Sequence, residues 1–174
     1  LQMKDTPSTR DSPIGLDVKF PLRVACVDMG SNAIRFLAAE FQTESEYRVL
    51  GGERAPVRLG HGVYLSGRLE PSAMDRAVEA LTRFRRSMDE LGIEHYRAVA
   101  TSAVRESSNK DVFIARVLDE SGLRLDAISE WDEARLVHLA VVRRIPLKLS
   151  IAIVLCALSM TGATTYAGPP AAAG

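Results

Sequence analysis

The sequence predicts an α/β domain in which helices flank a mixed sheet, and three observations lead there. Three Val- and Ala-rich apolar runs follow one another closely in the first third of the chain. Helical spacing of apolar residues dominates three later segments, and the remaining strand-like runs alternate with those helices. The order is strand, strand, strand, helix, strand, helix, strand, helix. Hairpin-linked strands give antiparallel pairs, and strand–helix–strand units give parallel ones.

Leu22–Met29 (LRVACVDM) is mostly apolar, Gly30-Ser31-Asn32 interrupts it, and Ala33–Phe41 (AIRFLAAEF) resumes it, as two strands joined by a tight turn would. Tyr47–Leu59 contains Gly51-Gly52 and Pro56, so it is predicted as a strand with a bulge or an edge position, leading into a Gly60-His61-Gly62 loop. The clearest helix starts at Pro71, with Ser72 and Asp75 as a capping box. Met74, Val78, Leu81, Met88 and Leu91 are its apolar positions, and Gly92 is its stop. Between them Arg76, Glu79, Arg83, Arg85, Arg86 and Asp89 form a solvated face.

Tyr96–Ala100 is expected as a buried strand and Thr101–Asn109 as a short helix or turn. Lys110–Ser121 follows as a helix with Phe113, Ile114, Val117 and Leu118 inward, closed by Gly122. Leu123–Ile128 alternates apolar and polar residues as a strand does. Glu130–Val142 returns to helical spacing through Leu136, Leu139 and Ala140.

A chain of 174 residues suggests one domain, and 47% hydrophobic with 25% charged residues is globular composition. Lys plus Arg total 22 and Asp plus Glu total 22, a balance that argues against holding nucleic acid through bulk positive charge. The charges stop at Lys148. Residues 1–21 are read as a flexible leader; Leu1–Lys19 lacks the apolar stretch of an export signal, which points to a cytoplasmic protein. Residues 22–148 form the body, and residues 149–174 an uncharged, divergent tail.

In that tail Ile151–Leu155 suits another buried strand. Leu149–Ala167 behind Arg143, Arg144 and Lys148 approaches membrane-span length, but its Ser, Thr and Gly residues make that alternative the weaker one. Cys26 and Cys156 imply neither a disulfide framework nor a zinc site. His61, His95 and His138 share no spacing, so no metal ligand is assigned.

Three segments could carry chemistry. In Asp28-Met29-Gly30-Ser31-Asn32-Ala33-Ile34-Arg35, Gly30 permits a tight backbone and the turn offers Ser31 and Asn32 side chains and backbone N–H groups to an anion. Arg35 interrupts an apolar strand, where a buried guanidinium needs an anionic partner; a plain hairpin with Arg35 salt-bridged to any carboxylate explains the same residues. Ala100–Glu106, followed by Asn109, lies where a strand gives way to a helix. Thr101 or Ser102 can cap that helix and leave N–H groups free for a ligand, while ordinary capping with an exposed Arg105–Glu106 pair is the plainer alternative. Glu130, Asp132 and Glu133 open the last helix, where acids are favourable by roughly 0.3–1 kcal/mol each without any catalysis.

Taken in order, VDMGSNAIR (Val27–Arg35), RLGHGVYLSGRL (Arg58–Leu69), VATSAVRESSN (Val99–Asn109) and ISEWDEARL (Ile128–Leu136) resemble the exopolyphosphatase and guanosine pentaphosphate phosphohydrolase family, Ppx/GppA. The resemblance covers Leu22–Lys148. It implies the first lobe of the two-lobed, ribonuclease H-like superfold shared with actin and the sugar kinases. It also implies hydrolysis of terminal phosphoanhydride bonds, with Mg²⁺ as cofactor and inorganic polyphosphate or guanosine pentaphosphate as the molecule bound. A homodimer is open as its assembly.

By the same resemblance Glu133 is the base that activates water. Asp28, Gly30, Ser31, Asn32 and Arg35 form the first phosphate-binding loop, and Thr101, Ser102 and Arg105 line the cleft. Glu130, Trp131 and Asp132 depart from the family's usual glycine, variable residue and glutamate, and His61 replaces an often acidic position. From Leu149 the family's second, Gly-rich phosphate loop is absent. A truncated or frame-shifted product, a very poor phosphatase by itself, is therefore expected. A non-catalytic lobe that binds phosphate compounds or a partner lobe is the alternative. A kinase of the same superfold is less favoured, since TSAVRE and DEARL do not belong to its pattern.

Overall fold

The computed structural model describes residues 19–43 and 45–142. Most of the expected leader, and the whole of the 149–174 tail with Cys156 and both of its readings, lie outside the described residues. In chain order the elements are β1 (Leu22–Met29), β2 (Ile34–Phe41), β3 (Tyr47–Ala55), α1 (Gly60–Ser66), α2 (Pro71–Glu90), β4 (His95–Ala100), α3 (Ser102–Arg105), α4 (Lys110–Ser121), β5 (Leu125–Ala127) and α5 (Glu130–Val142).

The five strands form one mixed sheet in the order β3-β2-β1-β4-β5. β1 pairs antiparallel with β2 and parallel with β4, and β4 pairs parallel with β5. The most apolar strand is central, where both faces are covered and alternation is not required. β3 is both an edge strand and irregular: its register with β2 shifts between Ala38 and Ala39, so both features expected from Gly51-Gly52 are present. Since β1, β4 and β5 run in parallel, their carboxyl ends share one side of the sheet. The Thr101 N–H donates to Met29 O at 3.1 Å and the Ile128 N–H to Ala100 O at 3.0 Å, which carries this alignment past the strand ends.

Val27, Met29, Ile34, Phe36, Ala98 and Ala100 belong to a core that α2 and α4 cover. The α2 stripe Met74, Ala77, Val78, Leu81, Phe84 and Met88 repeats every three or four residues and is buried. Phe84 stacks on Phe36 with centroids 5.3 Å apart, and Phe113 and Val117 of α4 complete this layer.

Several expectations are corrected. Gly60-His61-Gly62 is not a loop but the first turn of α1. A Cβ on Gly62 would lie 2.5 Å from Glu70 Cγ and 2.9 Å from Arg68 O, so the glycine serves close packing within a helix. The Ser72/Asp75 capping box does not form. Pro71 occupies the first helical position, Glu70 is the N-cap, and its carbonyl accepts from the Ala73 and Met74 N–H groups, while Asp75 pairs with Arg116 at 2.6 Å. The third strand ends at Ala55, before Pro56, which has no N–H for the ladder. The fifth covers only Leu125–Ala127, because the Arg124 N–H donates to the Tyr96 hydroxyl instead. Leu118 is 47% exposed rather than inward.

At the end of the sheet away from those carboxyl ends, Glu40 is 4% exposed. Its carboxylate accepts from Arg23 Nε at 2.7 Å, Arg48 Nε at 2.9 Å and Gln42 Nε2 at 2.7 Å. Arg48 and Arg23 hold this carboxyl below the ordinary carboxylate range. Arg23 also donates to Leu91 O at 3.0 Å and so pins the end of α2 to the sheet.

Phe84→Ala removes a fully buried ring and is expected to cost about 3–5 kcal/mol, read from urea denaturation. A lowered folded-state pKa means that the Glu40 contribution is complete above the unfolded carboxylate value of 4.5 and is lost as pH falls through the folded value. Thermal unfolding of wild type and Glu40→Gln should therefore differ most near neutrality and converge in acid; a constant gap would contradict this.

Candidate functional site

At the carboxyl ends of β1 and β4, where open α/β sheets gather ligands, lies a cleft of about 210 Å³. Asp28, Gly30, Arg35, Thr101 and Glu133 line it, and Val99, Ile128, Leu136 and Val137 give it apolar walls. Segments far apart in sequence meet here because β1, β4 and the start of α5 are adjacent in space.

The turn between β1 and β2 is built from the backbone. The Gly30 N–H donates to Ala33 O at 3.1 Å, while the Ser31 and Asn32 carbonyls accept from the Gly60 N–H at 2.8 Å and the Arg58 N–H at 3.0 Å. The Ser31 and Asn32 N–H groups meet no acceptor among the described residues, which leaves donors of the kind that form anion nests. Gly30 is not required by space, since a Cβ there would lie 3.5 Å from Ala33 O; the close approach is at Gly60, whose Cβ would lie 2.9 Å from Ser31 Cβ. Arg58 takes a left-handed backbone, φ 55°, to lay this connection on the turn, at roughly 1–2 kcal/mol of strain.

Thr101 and Ser102 do not cap α3 with their side chains. Both reach back toward β1 instead: Thr101 Oγ1 donates to Met29 O at 3.4 Å, and the Ser102 hydroxyl pairs with that of Ser31 at 3.0 Å. The first two expected segments are thereby tied together.

Arg105 belongs to more than an exposed pair with Glu106. Its side chain is 20% exposed, and its Nη1 donates to Ile128 O at 3.1 Å and to Glu133 Oε2 at 3.2 Å. Its Nη2 lies 3.5 Å from Glu106 and 3.6 Å from Glu130. Glu133 stands in the first turn of α5, whose start is fixed by a device not anticipated from the sequence. The Ser129 hydroxyl accepts the Asp132 N–H at 3.1 Å and donates to Asp132 Oδ2 at 2.7 Å. The Ser-x-x-Asp spacing at 129–132 was the available signal. The apolar walls had no signal beyond ordinary core periodicity.

Asp28 faces this group from β1. Burial raises its carboxyl above the ordinary value; Arg35, 3.5 Å away, opposes that shift, and the nearby Glu133 charge adds to it. The Arg35 guanidinium is not buried as expected: its side chain is 64% exposed, so strand alternation places it on the open face, where it still meets Asp28. Of the expected site residues, Ser31, Asn32, Ser102 and Arg105 lie outside the cleft lining: Ser31 and Asn32 in the turn, Ser102 bonded to Ser31, and Arg105 behind Glu133.

The oxygens of Asp28 and Glu133 are hard donors of the kind Mg²⁺ accepts, since that ion is commonly held by one or two carboxylates with water and substrate phosphates. No cluster of three or more His, Cys, Asp or Glu suited to a metal occurs among the described residues. Among the same residues no helix is long and apolar enough to cross a membrane.

Residues 40–155 match the model of the Ppx/GppA phosphatase family. Exopolyphosphatase 1 of Mycobacterium leprae is 32% identical over 122 residues, 70% of this chain and 36% of that protein. Guanosine-5'-triphosphate,3'-diphosphate pyrophosphatase of Photobacterium profundum is 30% identical over 122 residues, 67% of this chain and 23% of that protein. The crystal structure of an exopolyphosphatase from Cytophaga hutchinsonii superposes with a TM-score of 0.67 at 35% identity, covering 71% of this chain and 39% of that one. The chain thus spans well under half the length of these relatives, and the shared fold is that of a lobe of the actin and sugar-kinase superfold. The match over residues 40–155, with relatives and a solved structure that share the fold, shows that the chain belongs to the Ppx/GppA phosphatase family.

Proposed function

We propose that this chain contributes the base and one phosphate-binding wall of a centre that hydrolyses terminal phosphoanhydride bonds of inorganic polyphosphate or guanosine pentaphosphate. The unit that carries these parts is the lobe 22–148, with 149–174 separate from it. The observation that supports the reading best is the state of Glu133. Arg105 engages one of its oxygens, Oε2, and the other has no partner among the described residues while the side chain borders the cleft.

In the proposed step the free oxygen of Glu133 accepts a proton from water as the water oxygen bonds to the terminal phosphorus. The bridging P–O bond breaks, and the shortened anion leaves with the bonding pair. Arg105 fixes the carboxylate's position. Arg35 and the Ser31 and Asn32 N–H groups stabilise charge on the transferring group. Asp28 would hold Mg²⁺, which when bound neutralises substrate phosphate charge; a desolvated carboxyl with a like charge nearby is a group that a cation relieves.

The Arg35 side chain is 64% exposed and that of Glu133 43%, so the described wall leaves the reacting group open to water. Slow turnover is therefore expected from the chain assayed alone. The same exposure favours the second reading, a lobe that binds phosphate compounds without hydrolysing them. Phosphate release and binding, measured together on polyphosphate and guanosine pentaphosphate, separate the two.

Glu133→Gln should lower phosphate release by about 10²–10⁴-fold and leave binding nearly unchanged; binding without release in the wild-type chain would favour the second reading. Asp28→Asn tests the strained carboxyl. A raised folded-state pKa means that ionised Asp28 costs stability increasingly as pH rises above 3.8. The variant should unfold at a higher temperature than wild type near pH 7, with the gain shrinking in acid, and should release less phosphate. A gain that grew in acid would refute this account.

A further inference from the structure

Side chains on one strand alternate between faces, so the register across the hairpin tells which residues share the open face. Asp28 of β1 pairs in register with Arg35 of β2, and Arg35 pairs with Arg54 of β3. Glu53, next to Arg54, lies in register with the core residue Phe36 and reaches Arg83 of α2 at 3.0 Å, so it belongs to the opposite face. Arg35 and Arg54 therefore extend outward from Asp28 in one row, on the face that borders the cleft.

Like charges directly across a strand pair repel. Asp28 compensates Arg35 at 3.5 Å, but no carboxylate pairs with Arg54 among the described residues, and Arg54 is exposed. A sheet has no structural reason to keep two adjacent arginines with a single acid at one end of the row. The arrangement suits an anion whose charge repeats along its length. From β1 to β3 is two strand spacings, roughly 10 Å. A single phosphate at the cleft cannot span that distance, whereas a linear chain of phosphates can.

Resting on the assignment of a terminal phosphate to the cleft, we infer that Arg54 binds the inner phosphates of a linear polyphosphate as it leaves the cleft across the open face of β2 and β3. β3 is an edge strand, so a chain crossing it passes into solvent without a steric limit on its length. Arg54 thus makes the site discriminate by the length of the anion, while Arg35 and Glu133 serve the terminal group whatever follows it.

Equilibrium binding of tripolyphosphate and of long-chain polyphosphate to wild type, Arg54→Ala and Arg54→Lys tests this at two salt concentrations. Arg54→Ala should weaken long-chain binding several-fold, flatten its salt dependence and leave tripolyphosphate unchanged, and Arg54→Lys should restore most of the loss. The unfolding midpoint of Arg54→Ala should be no lower than that of wild type, since the variant relieves a like-charge pair. Equal weakening of both ligands, no weakening of either, or a lower midpoint would overturn the assignment. Wild type that binds neither ligand would instead refute the phosphate-binding reading itself, and this inference with it.

Discussion

A carboxylate drawn out of water at the end of the central strand organises the cleft. Asp28 is raised above its ordinary range by burial, and Glu133 adds like charge from α5. The two carboxylates repel each other, and each has an arginine from a separate element: Arg35 from β2 for Asp28 and Arg105 from α3 for Glu133. Arg105 also lies near Glu106 and Glu130, so it offsets the acidic start of α5 as well as Glu133. The arrangement leaves the two acids incompletely neutralised, which agrees with the proposed placing of a cation beside Asp28.

The same hairpin shows what full neutralisation looks like. Arg23 and Glu40 are register partners in β1 and β2, as are Asp28 and Arg35. Glu40 receives three side-chain donors and its carboxyl is lowered; Asp28 has one arginine at 3.5 Å and its carboxyl is raised. One end of the hairpin stabilises the fold, and the other is held at some expense to stability, a usual compromise at functional sites. The pin from Arg23 to Leu91 and the Phe36–Phe84 stack join the hairpin to α2, so the strained end rests on a well-packed base.

Much of this was legible in the sequence where periodicity is strong. The β1–β2 hairpin, α2, β4 and α4 follow from apolar spacing and from Gly and Pro punctuation, and the cleft residues Asp28, Arg35, Thr101 and Glu133 stood beside those breaks. Features that depend on packing between distant segments were not legible. Gly60 and Gly62 look like loop formers, yet they lie in a helix, where their missing Cβ atoms let Ser31 and Glu70 approach closely. Ser72 and Asp75 have capping-box spacing, but with Pro71 as the first helical residue the N-cap falls on Glu70, two residues too early for it. Ser129 and Asp132 have the same spacing with no proline, and there the cap forms. Arg35 looked buried because its sequence neighbours are apolar, whereas alternation puts it on the other face.

How the turn comes to offer donors also depends on distant residues. A hairpin turn ordinarily exposes both its carbonyls and its N–H groups, and an anion approaching it would be repelled by the former. Here the Ser31 and Asn32 carbonyls accept from the Gly60 and Arg58 N–H groups, which removes them from an approaching anion and leaves the turn's Ser31 and Asn32 N–H groups facing it. That pairing requires the chain after β3 to double back tightly, and it does so through the left-handed Arg58 and the Cβ-less Gly60. The strain at Arg58 thus accompanies the tight return that frees the N–H groups of the proposed anion-binding turn. Residues 58–60, which touch no wall of the cleft, determine the polarity of the turn that does.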